Sequence, residues 1–402
     1  MLFVLSLASL FFSVVSQSLM DLVGTFFILY SFYLINKNQD LVFRAKAILK
    51  SNYFIFFYAW VLWVLISFLF GASNYDHLIA RVLEFRWMIY VFCYLYVLEF
   101  FNQDYFKIFI FSLAGMCFLS LHIYFTDMNY VAGNPFMIGV AKRAGGFLND
   151  PMTLAHGLGL LVAFILGYCS KMKIIFNKYI LFSLLFILIA ILMTMTRGVW
   201  IAVITSFTVY FFIKSWKQAV LFCVFVLMLA GIGFSVSSNF RSRIEQTMQF
   251  KSSFDNERVV LWETNWYIIK NNPVFGIGYG ENKHRVREFY DLLNVPVGQF
   301  EGNAHNQYLN FLAGTGVIGL LFYLIWIFTN LYWAFVLSNN LKVSLQVQAL
   351  GFGSFLAQVV FLVGGLTESN FEHSKIKTII TFFWAISFYG YYLVQTKKQE
   401  GL

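Results

Sequence analysis

Long apolar runs, each about twenty residues long and nearly free of charge, recur along the whole chain of 402 residues. As helices, runs of this length match the thickness of the hydrocarbon core of a bilayer. The pattern predicts an all-α polytopic membrane protein, one integral membrane domain over 1–402, with about twelve spans. Their bounds are roughly 1–16, 20–36, 53–72, 80–100, 107–126, 152–170, 179–195, 198–213, 218–237, 305–336, 344–365 and 378–395.

The basic residues of the short connections set the orientation. Alternate connections carry lysines and an arginine, at Lys37, Arg44, Lys46, Lys50, Lys107, Lys171, Lys173, Lys178, Lys214, Lys217, Lys342, Lys397 and Lys398. By the positive-inside rule these connections face the cytoplasm, and both termini lie there too. The opposite side receives two long loops, 127–151 and 238–304, which hold all four prolines. Loops of this length usually carry function.

Composition supports a membrane protein and excludes a nucleic-acid-binding one. Only 12% of the residues are charged and 60% are hydrophobic. The net charge of +9 lies on the cytoplasmic side of the predicted topology, and no basic run is interleaved with polar residues. The four cysteines sit inside apolar runs without paired spacing, so they predict packing and neither a disulfide framework nor a metal site.

The segment after Asn256 in the longer outer loop has the spacing of a surface helix. Arg258, Trp262 and Trp266 follow one another at intervals of four, which puts them on one helical face. Such a helix would lie along the outer membrane surface with its tryptophans at headgroup level. Arg258 could merely direct its charge to water, or its planar guanidinium could bind a lipid-linked phosphate through two hydrogen bonds.

Two further patterns of this loop offer candidate binding groups. Gly276, Gly278 and Gly280 follow a proline, and they could expose backbone N–H groups to an anion or form a plain turn. His305 and Asn306 lie where the loop enters a span, with Asn303 as the expected helix cap. A neutral imidazole at a helix N-terminus could accept a proton from a hydroxyl nucleophile, although it could also serve only as a cap.

Charged residues near the same membrane face complete the candidate site. Arg197 follows a span directly, so its side chain must snorkel, pair with an anion or face a polar cavity. We favour the polar cavity. Arg143 and Glu368 lie in outer loops, and Arg86 lies in the outer part of the fourth predicted span. Together these groups suit an anionic amphiphile. The outer loops contain no D-x-D or E-x-D pair, so the pattern predicts neither a bound metal nor another cofactor.

These motifs together resemble the O-antigen ligase and polymerase superfamily of bacterial envelope glycosyltransferases. The most specific piece is His305-Asn306 followed after nine residues by Gly316-Val317-Ile318-Gly319, which is similar to the H-N/S/Q-x9-G-x-x-G pattern of the ligases. Three other pieces support it: Arg143 with Gly146, Asn149 and Pro151; Thr196-Arg197-Gly198; and Arg258 through Trp262, with Pro273 and Gly276-Ile277-Gly278.

The resemblance implies a GT-C type glycosyltransferase fold with a long periplasmic helical loop, in the bacterial inner membrane with the active site facing the periplasm. It implies metal-independent, inverting transfer of a glycan from undecaprenyl diphosphate to a sugar hydroxyl of the lipid A core. His305 would be or assist the base, and Arg197 and Arg258 would bind the diphosphate. Other substrate contacts would come from Arg143, Arg86, Trp262, Asn306, Gly276, Gly278 and Glu368.

Alternatives remain within and beyond this superfamily. A polymerase of O-antigen or another surface polysaccharide would use the same donor with a different acceptor, and a protein-glycosylating relative is also open. The His305 to Gly319 pattern favours a ligase. A membrane transporter would need polar residues along several spans, whereas the mid-span positions are overwhelmingly Phe, Leu, Ile and Val.

Overall fold

The computed structural model describes residues 1–37, 50–71, 84–98, 101–126, 143–148, 150–236, 257–285 and 302–399, with positions 79, 238, 241 and 245. Within these ranges every regular element is helical, which agrees with the predicted all-α class. The α-helices are α1 (Leu2–Phe12), α2 (Gln17–Lys37), α3 (Ile55–Gly71), α4 (Met88–Leu98), α5 (Gln103–Thr126), α6 (Pro151–Lys171), α7 (Lys178–Met193), α8 (Arg197–Lys214), α9 (Trp216–Val236), α10 (Glu257–Asn271), α11 (Asn282–Arg285), α12 (Gln307–Asn339), α13 (Leu345–Gly364) and α14 (Ser374–Gln399). Short 3-10 turns cover Asn52–Phe54, Glu84–Trp87, Gly146–Leu148 and Asn370–Glu372.

Each of the twelve predicted spans coincides with a helix in the described residues, but the number of twelve membrane spans is not confirmed. Eight helices of the described residues are long and apolar enough to cross a membrane: α2, α3 with its preceding turn, α5, α6, α8, α9, α12 and α13. The apolar helices α1 and α7 are shorter, with 11 and 16 residues. The described part of α4 also has 11 residues, and α14 carries lysines near both ends.

The middle of the bundle is built around α6 and α13, both of which are largely buried. Polar side chains inside this core bond to neighbouring helices: Ser206 of α8 donates to the carbonyl of Leu356 at 2.8 Å, and Gln358 donates to Ser387 of α14 at 2.9 Å. Helix α9 is the opposite case, because Ala219 is its single buried residue and most of its apolar side chains are exposed. In a bilayer such a surface faces lipid.

Helix α12 contains a break at Gly316, whose φ of 68° and ψ of −175° are not helical. The break exposes backbone groups that lose their partners within the helix, and neighbouring elements supply new ones. The Trp63 indole of α3 donates to the carbonyl of Thr315 at 2.8 Å, and the N–H of Val317 donates to the carbonyl of Pro273 at 2.9 Å. The kink is therefore fixed by α3 and by the loop that follows α10.

Several helix ends meet at one end of the bundle, which we call the site end. Helices α6, α8, α12 and α14 begin there, and α13 ends there. Backbone and side-chain bonds join them: the N–H of Gln307 donates to the carbonyl of Gly365 at 2.8 Å, and the Thr196 hydroxyl lies 3.4 Å from the carbonyl of Pro151. The sequence predictions for catalysis fall largely on this end.

Candidate functional site

The turn before α12 holds His305 in an unusual conformation. His305 has a φ of 43°, a left-handed value that residues with a β-carbon rarely adopt. The helix cap is Asn306, whereas the sequence predicted Asn303: Asn306 Oδ1 accepts from the N–H groups of Tyr308 and Leu309 at 3.0 and 3.1 Å. The prediction failed because His305 has a non-helical backbone, so α12 begins only at Gln307. Asn303 instead accepts from the N–H of His305 at 3.0 Å.

The cap role also occupies the amide of Asn306, which we had predicted to bind substrate. Its Oδ1 serves the first turn of α12, and its Nδ2 donates to the carbonyl of Leu366 at 3.1 Å. This second bond joins the start of α12 to the loop between α13 and α14. Asn306 therefore acts in the described structure by fixing the relative position of the two segments that carry the site.

The carboxylate of Glu368, in the loop between α13 and α14, contacts the imidazole of His305. Nδ1 of His305 lies 3.1 Å from both oxygens of Glu368, and the Glu368 side chain is only 3% exposed whereas that of His305 is 27% exposed. Burial alone would raise the pKa of Glu368, but the hydrogen bond from His305 and the neighbouring His373 lower this pKa well below its usual range. Glu368 is therefore a stable anion, and it orients the ring with Nδ1 as the donor.

A second histidine borders the same carboxylate. His373 Nε2 lies 3.9 Å from Glu368 Oε1, and its other ring nitrogen lies 3.4 Å from the hydroxyl of Thr153. Thr153 donates to Asp150 at 2.5 Å, and Asp150 caps α6 by accepting from the N–H groups of Met152 and Thr153. The start of α6 is thereby tied to the loop of Glu368.

The candidate arginines approach the site along two different elements. Arg143 donates to the carbonyl of Thr194 at 2.9 Å and to the hydroxyl of Thr196 at 3.0 Å, so it fixes the turn before α8. Arg197 is the first residue of α8. Its neighbour Gly198 packs so closely on Thr367 that a β-carbon there would lie 1.8 Å from the threonine hydroxyl. The start of α8 at Arg197 therefore packs against Thr367, the residue that precedes Glu368.

Helix α10 brings Arg258 to the same region. Trp262, one turn after Arg258, donates from its indole to the carbonyl of Ala304 at 2.7 Å, which docks α10 on the turn of His305. Arg258 itself is half-buried. It interacts electrostatically with the buried ring of His156, and so do three groups of the site already described, namely Glu368, His373 and Asp150. The predicted residues His305, Arg197, Arg258, Arg143, Trp262 and Glu368 therefore come together.

The N–H groups of Gly276 and Gly278, which the sequence left open as an anion nest or a plain turn, are bonded within the protein. The N–H groups of Ile277 and Gly278 donate to the carbonyls of Ala313 and Gly314 at 3.0 and 2.9 Å, and that of Gly276 donates to the carbonyl of Asn272 at 3.1 Å. The first two of these donors join the loop to the kinked helix α12. Substrate binding by Gly276 and Gly278 through these N–H groups would therefore require the loop to give up the bonds that hold it.

Two candidates lie partly or wholly outside the described residues. The backbone of Arg86 belongs to the 3-10 turn Glu84–Trp87, but the position of its side chain is outside them, and so is Asn149. Sequence reasoning missed the roles of Asp150 and Thr153. The dipeptide Asp150-Pro151 was an available signal for Asp150, since an acidic cap followed by proline is typical of a helix start. Among the described residues, no group of three or more His, Cys, Asp or Glu side chains is arranged to hold a metal ion.

The assembled groups can do two kinds of chemistry. The histidine with a buried carboxylate behind it can take a proton from a hydroxyl, and the arginines can bind a phosphate-bearing ligand. Residues 182–324 match the family model of the O-antigen ligase domain, Wzy_C. The matched segment runs from α7 into α12 and includes Arg197, Arg258 and His305, while Arg143 and Glu368 lie outside it. A search of curated proteins gives no match to the chain.

Proposed function

We propose that the protein is a membrane glycosyltransferase of the O-antigen ligase superfamily, which the match of residues 182–324 to the O-antigen ligase domain supports. It moves a glycan from undecaprenyl diphosphate to a sugar hydroxyl of the lipid A core. The observation that carries this proposal is the contact of His305 Nδ1 with both oxygens of buried Glu368, in a site that also gathers arginines from two helices.

His305 is the proposed general base. With Nδ1–H donated to the ionised carboxylate of Glu368, the lone pair of the neutral ring lies on Nε2. Nε2 takes the proton of the acceptor hydroxyl while the hydroxyl oxygen attacks the anomeric carbon of the donor. Glu368 then stabilises the imidazolium, which is the role that a buried carboxylate has behind a catalytic histidine in hydrolases.

Arg197 and Arg258 are the proposed ligands of the diphosphate. As the new glycosidic bond forms, the bond from the anomeric carbon to the diphosphate oxygen breaks, and negative charge grows on the leaving group. Guanidinium groups suit this charge because they stay protonated and match phosphate oxygens in pairs. A single displacement with these groups is metal-independent and inverts the anomeric centre.

Arg143 has a revised part in this proposal. Its guanidinium is used to hold Thr194 and Thr196, so it supports Arg197 from behind instead of contacting the substrate. The positive-inside distribution of lysines supports a site on the side away from the cytoplasm. The inner membrane, its periplasmic face and a GT-C type bundle are part of the proposal through the resemblance to the superfamily. Donor and acceptor lipids would both present their headgroups on that face.

The test is complementation of a strain that lacks the gene, with lipopolysaccharide banding as the measurement. Wild-type protein should restore long chains, and Glu368→Gln should not, because the imidazolium loses its anionic partner. Glu263→Gln is the matched control, since Glu263 is exposed on α10. Core without any repeat in the deletion strain supports the ligase, core plus one repeat supports a polymerase, and long chains with the Glu368→Gln variant would contradict the proposed base.

A further inference from the structure

The carboxylate of Glu372 lies next to the turn of His305, and it is hydrogen-bonded to a chain of asparagine side chains. Asn303 donates from Nδ2 to Oε2 of Glu372 at 2.9 Å, and Asn310 donates from Nδ2 to Oε1. Each carboxylate oxygen therefore accepts from an amide. An ionised glutamate has acceptors on both oxygens, whereas a glutamine in its place would have one acceptor and one donor.

Asn303 connects this carboxylate to His305. Its Oδ1 accepts from the backbone N–H of His305 at 3.0 Å, while its Nδ2 is bound by Glu372. Glu372 thereby fixes which way the amide of Asn303 points, because a rotated amide would set two donors against each other at His305. A left-handed backbone, such as the φ of 43° at His305, persists only where neighbouring groups hold it.

The same chain reaches helix α10. Asn310 Oδ1 accepts from Nδ2 of Asn282, and Nδ2 of Asn282 also donates to Oδ1 of Asn265 on α10 at 2.8 Å. All three asparagines are almost fully buried. Buried hydrogen bonds of this kind are strong restraints because an unsatisfied partner has no water to replace the lost bond. The chain therefore joins the helix of the candidate diphosphate-binding arginine to the turn of the candidate base.

We propose that Glu372 is a positioning residue, which through Asn303 holds His305 at the place where its imidazole takes the proton of the acceptor. The identity of the reaction rests on the proposed function, but the restraint on His305 does not. Glu372 reaches the turn of the base through one asparagine, Asn303, whereas it reaches α10 through three asparagines, so its main effect is on the base. Its loss should lower kcat by about tenfold or more, as expected for a hydrogen bond to a charged group, and leave the KM for the donor unchanged.

A reciprocal exchange of the two partners tests this directly. Glu372→Gln alone sets the new amide nitrogen against Nδ2 of Asn303 or of Asn310, and Asn303→Asp alone sets two carboxylates against each other. The double variant N303D/E372Q reverses the direction of the hydrogen bond between positions 303 and 372, and all three hydrogen bonds around these positions can then form. In it the new glutamine donates to the new carboxylate, which still accepts from the N–H of His305, and the glutamine oxygen still accepts from Asn310. We expect both single variants to lose kcat and the double variant to regain most of it.

Two measurements keep the test independent of the proposed function. The first is kcat per folded protein, with the exposed pair Glu263→Gln and Asn271→Asp as controls that carry the same chemical changes on α10. The second is the rate at which diethyl pyrocarbonate labels His305, followed by mass spectrometry. This rate should rise in the single variants and return in the double variant, even if the wild-type protein forms no glycan product and the proposed function fails.

Single variants with the kcat per folded protein and the labelling rate of the wild type would overturn the proposal, because Glu372 would then be only a structural residue. A double variant no better than either single variant in both measurements would also overturn it. If one single variant does not fold, the comparison of the other with the double variant decides by the same criteria.

Discussion

At the scale of single residues, Glu368 makes the stability of the site end depend on pH. Its pKa in the folded protein is lowered, since the bond from His305 and the nearby His373 outweigh its burial. A carboxyl with a lowered folded pKa stabilises the protein above its unfolded pKa, and this contribution is lost as the pH falls through the folded value. Glu368 should therefore stabilise the site end at neutral pH and not in acid.

Glu368→Gln should reveal this contribution in thermal unfolding in detergent. At pH 7 we expect the variant to melt at a lower temperature than the wild-type protein. The difference should be fully present at pH 4.5, the ordinary value for a glutamate, and narrow below it, because the carboxyl of the unfolded chain then binds a proton before that of the folded protein does. A difference that widens in acid would show that Glu368 does not stabilise the fold as an anion.

Arg258 tests whether a guanidinium is needed or only a charge. Arg258→Lys keeps the positive charge and loses the planar pair of donors, so we expect a strong fall in transfer rate, on the order of tenfold or more. Lys270→Ala on the same helix removes an exposed charge and serves as the control. Transfer at the wild-type rate by Arg258→Lys would instead indicate a point-charge or structural role.

The candidate residues of the site could be chosen from local sequence, but the contacts between them could not be predicted. His305, Arg197 and Arg258 could be chosen as candidates because each places a charge or an imidazole near a helix start at the membrane surface. Glu368 was one acidic residue of an outer loop until the fold set it beside His305, which lies 63 residues away. The binding of Arg143 to Thr194 and Thr196 likewise depends on contacts that no short-range pattern contains.

At the scale of elements, one indole bond connects α10 directly to the turn of His305. Trp262→Phe keeps an aromatic ring and removes the bond to the carbonyl of Ala304, whose net contribution is about 1 kcal/mol. Because the bond aligns α10 with the turn of His305, we expect transfer to fall several-fold. Trp266→Phe is the matched control on the same helix, since Trp266 is 51% exposed. An equal loss of activity in both variants would argue for a general membrane-anchoring role.

The kink of α12 is the second element that the site depends on. Gly316→Ala forces a β-carbon into a left-handed backbone and to within 1.9 Å of the carbonyl of Val274. We expect the variant to lose about 1–3 kcal/mol or more of stability, with less folded protein after solubilisation in detergent. Gly115→Ala is the control, because a β-carbon there meets open space. Equal thermal stability of the two variants would contradict the conclusion that the kink of α12 requires a glycine at position 316.

The glycine motif of α12 could be recognised in the sequence but not explained from it. The spacing of Gly314, Gly316 and Gly319 is typical of positions where a neighbouring helix approaches closely. The approaching element beside Gly314 and Gly316 is the loop 273–280, which donates to carbonyls of α12. Nothing in an apolar run marks where a helix breaks, apart from glycines that also suit helix packing.

At the scale of the whole molecule, apolar runs and lysines predicted the helices with bounds that differ mostly by a few residues. Every predicted span contains a helix, although eight rather than twelve meet the length and composition of a membrane span among the described residues. The excess of +9 follows the predicted topology and needs no polyanionic partner. Which helices form the core could not be predicted, because the spans are apolar on all sides.

The measurement that tests the central claim most directly is glycan transfer by purified protein in detergent. Undecaprenyl-diphosphate-linked glycan and lipid A core are supplied together with a chelator, and the coupled product and released undecaprenyl diphosphate are quantified. We predict product from the wild-type protein and a rate lower by about 10²–10⁴-fold from His305→Ala. Equal rates from the two proteins, or no product from folded wild-type protein that instead moves lipid-linked glycan across sealed vesicles, would contradict the account.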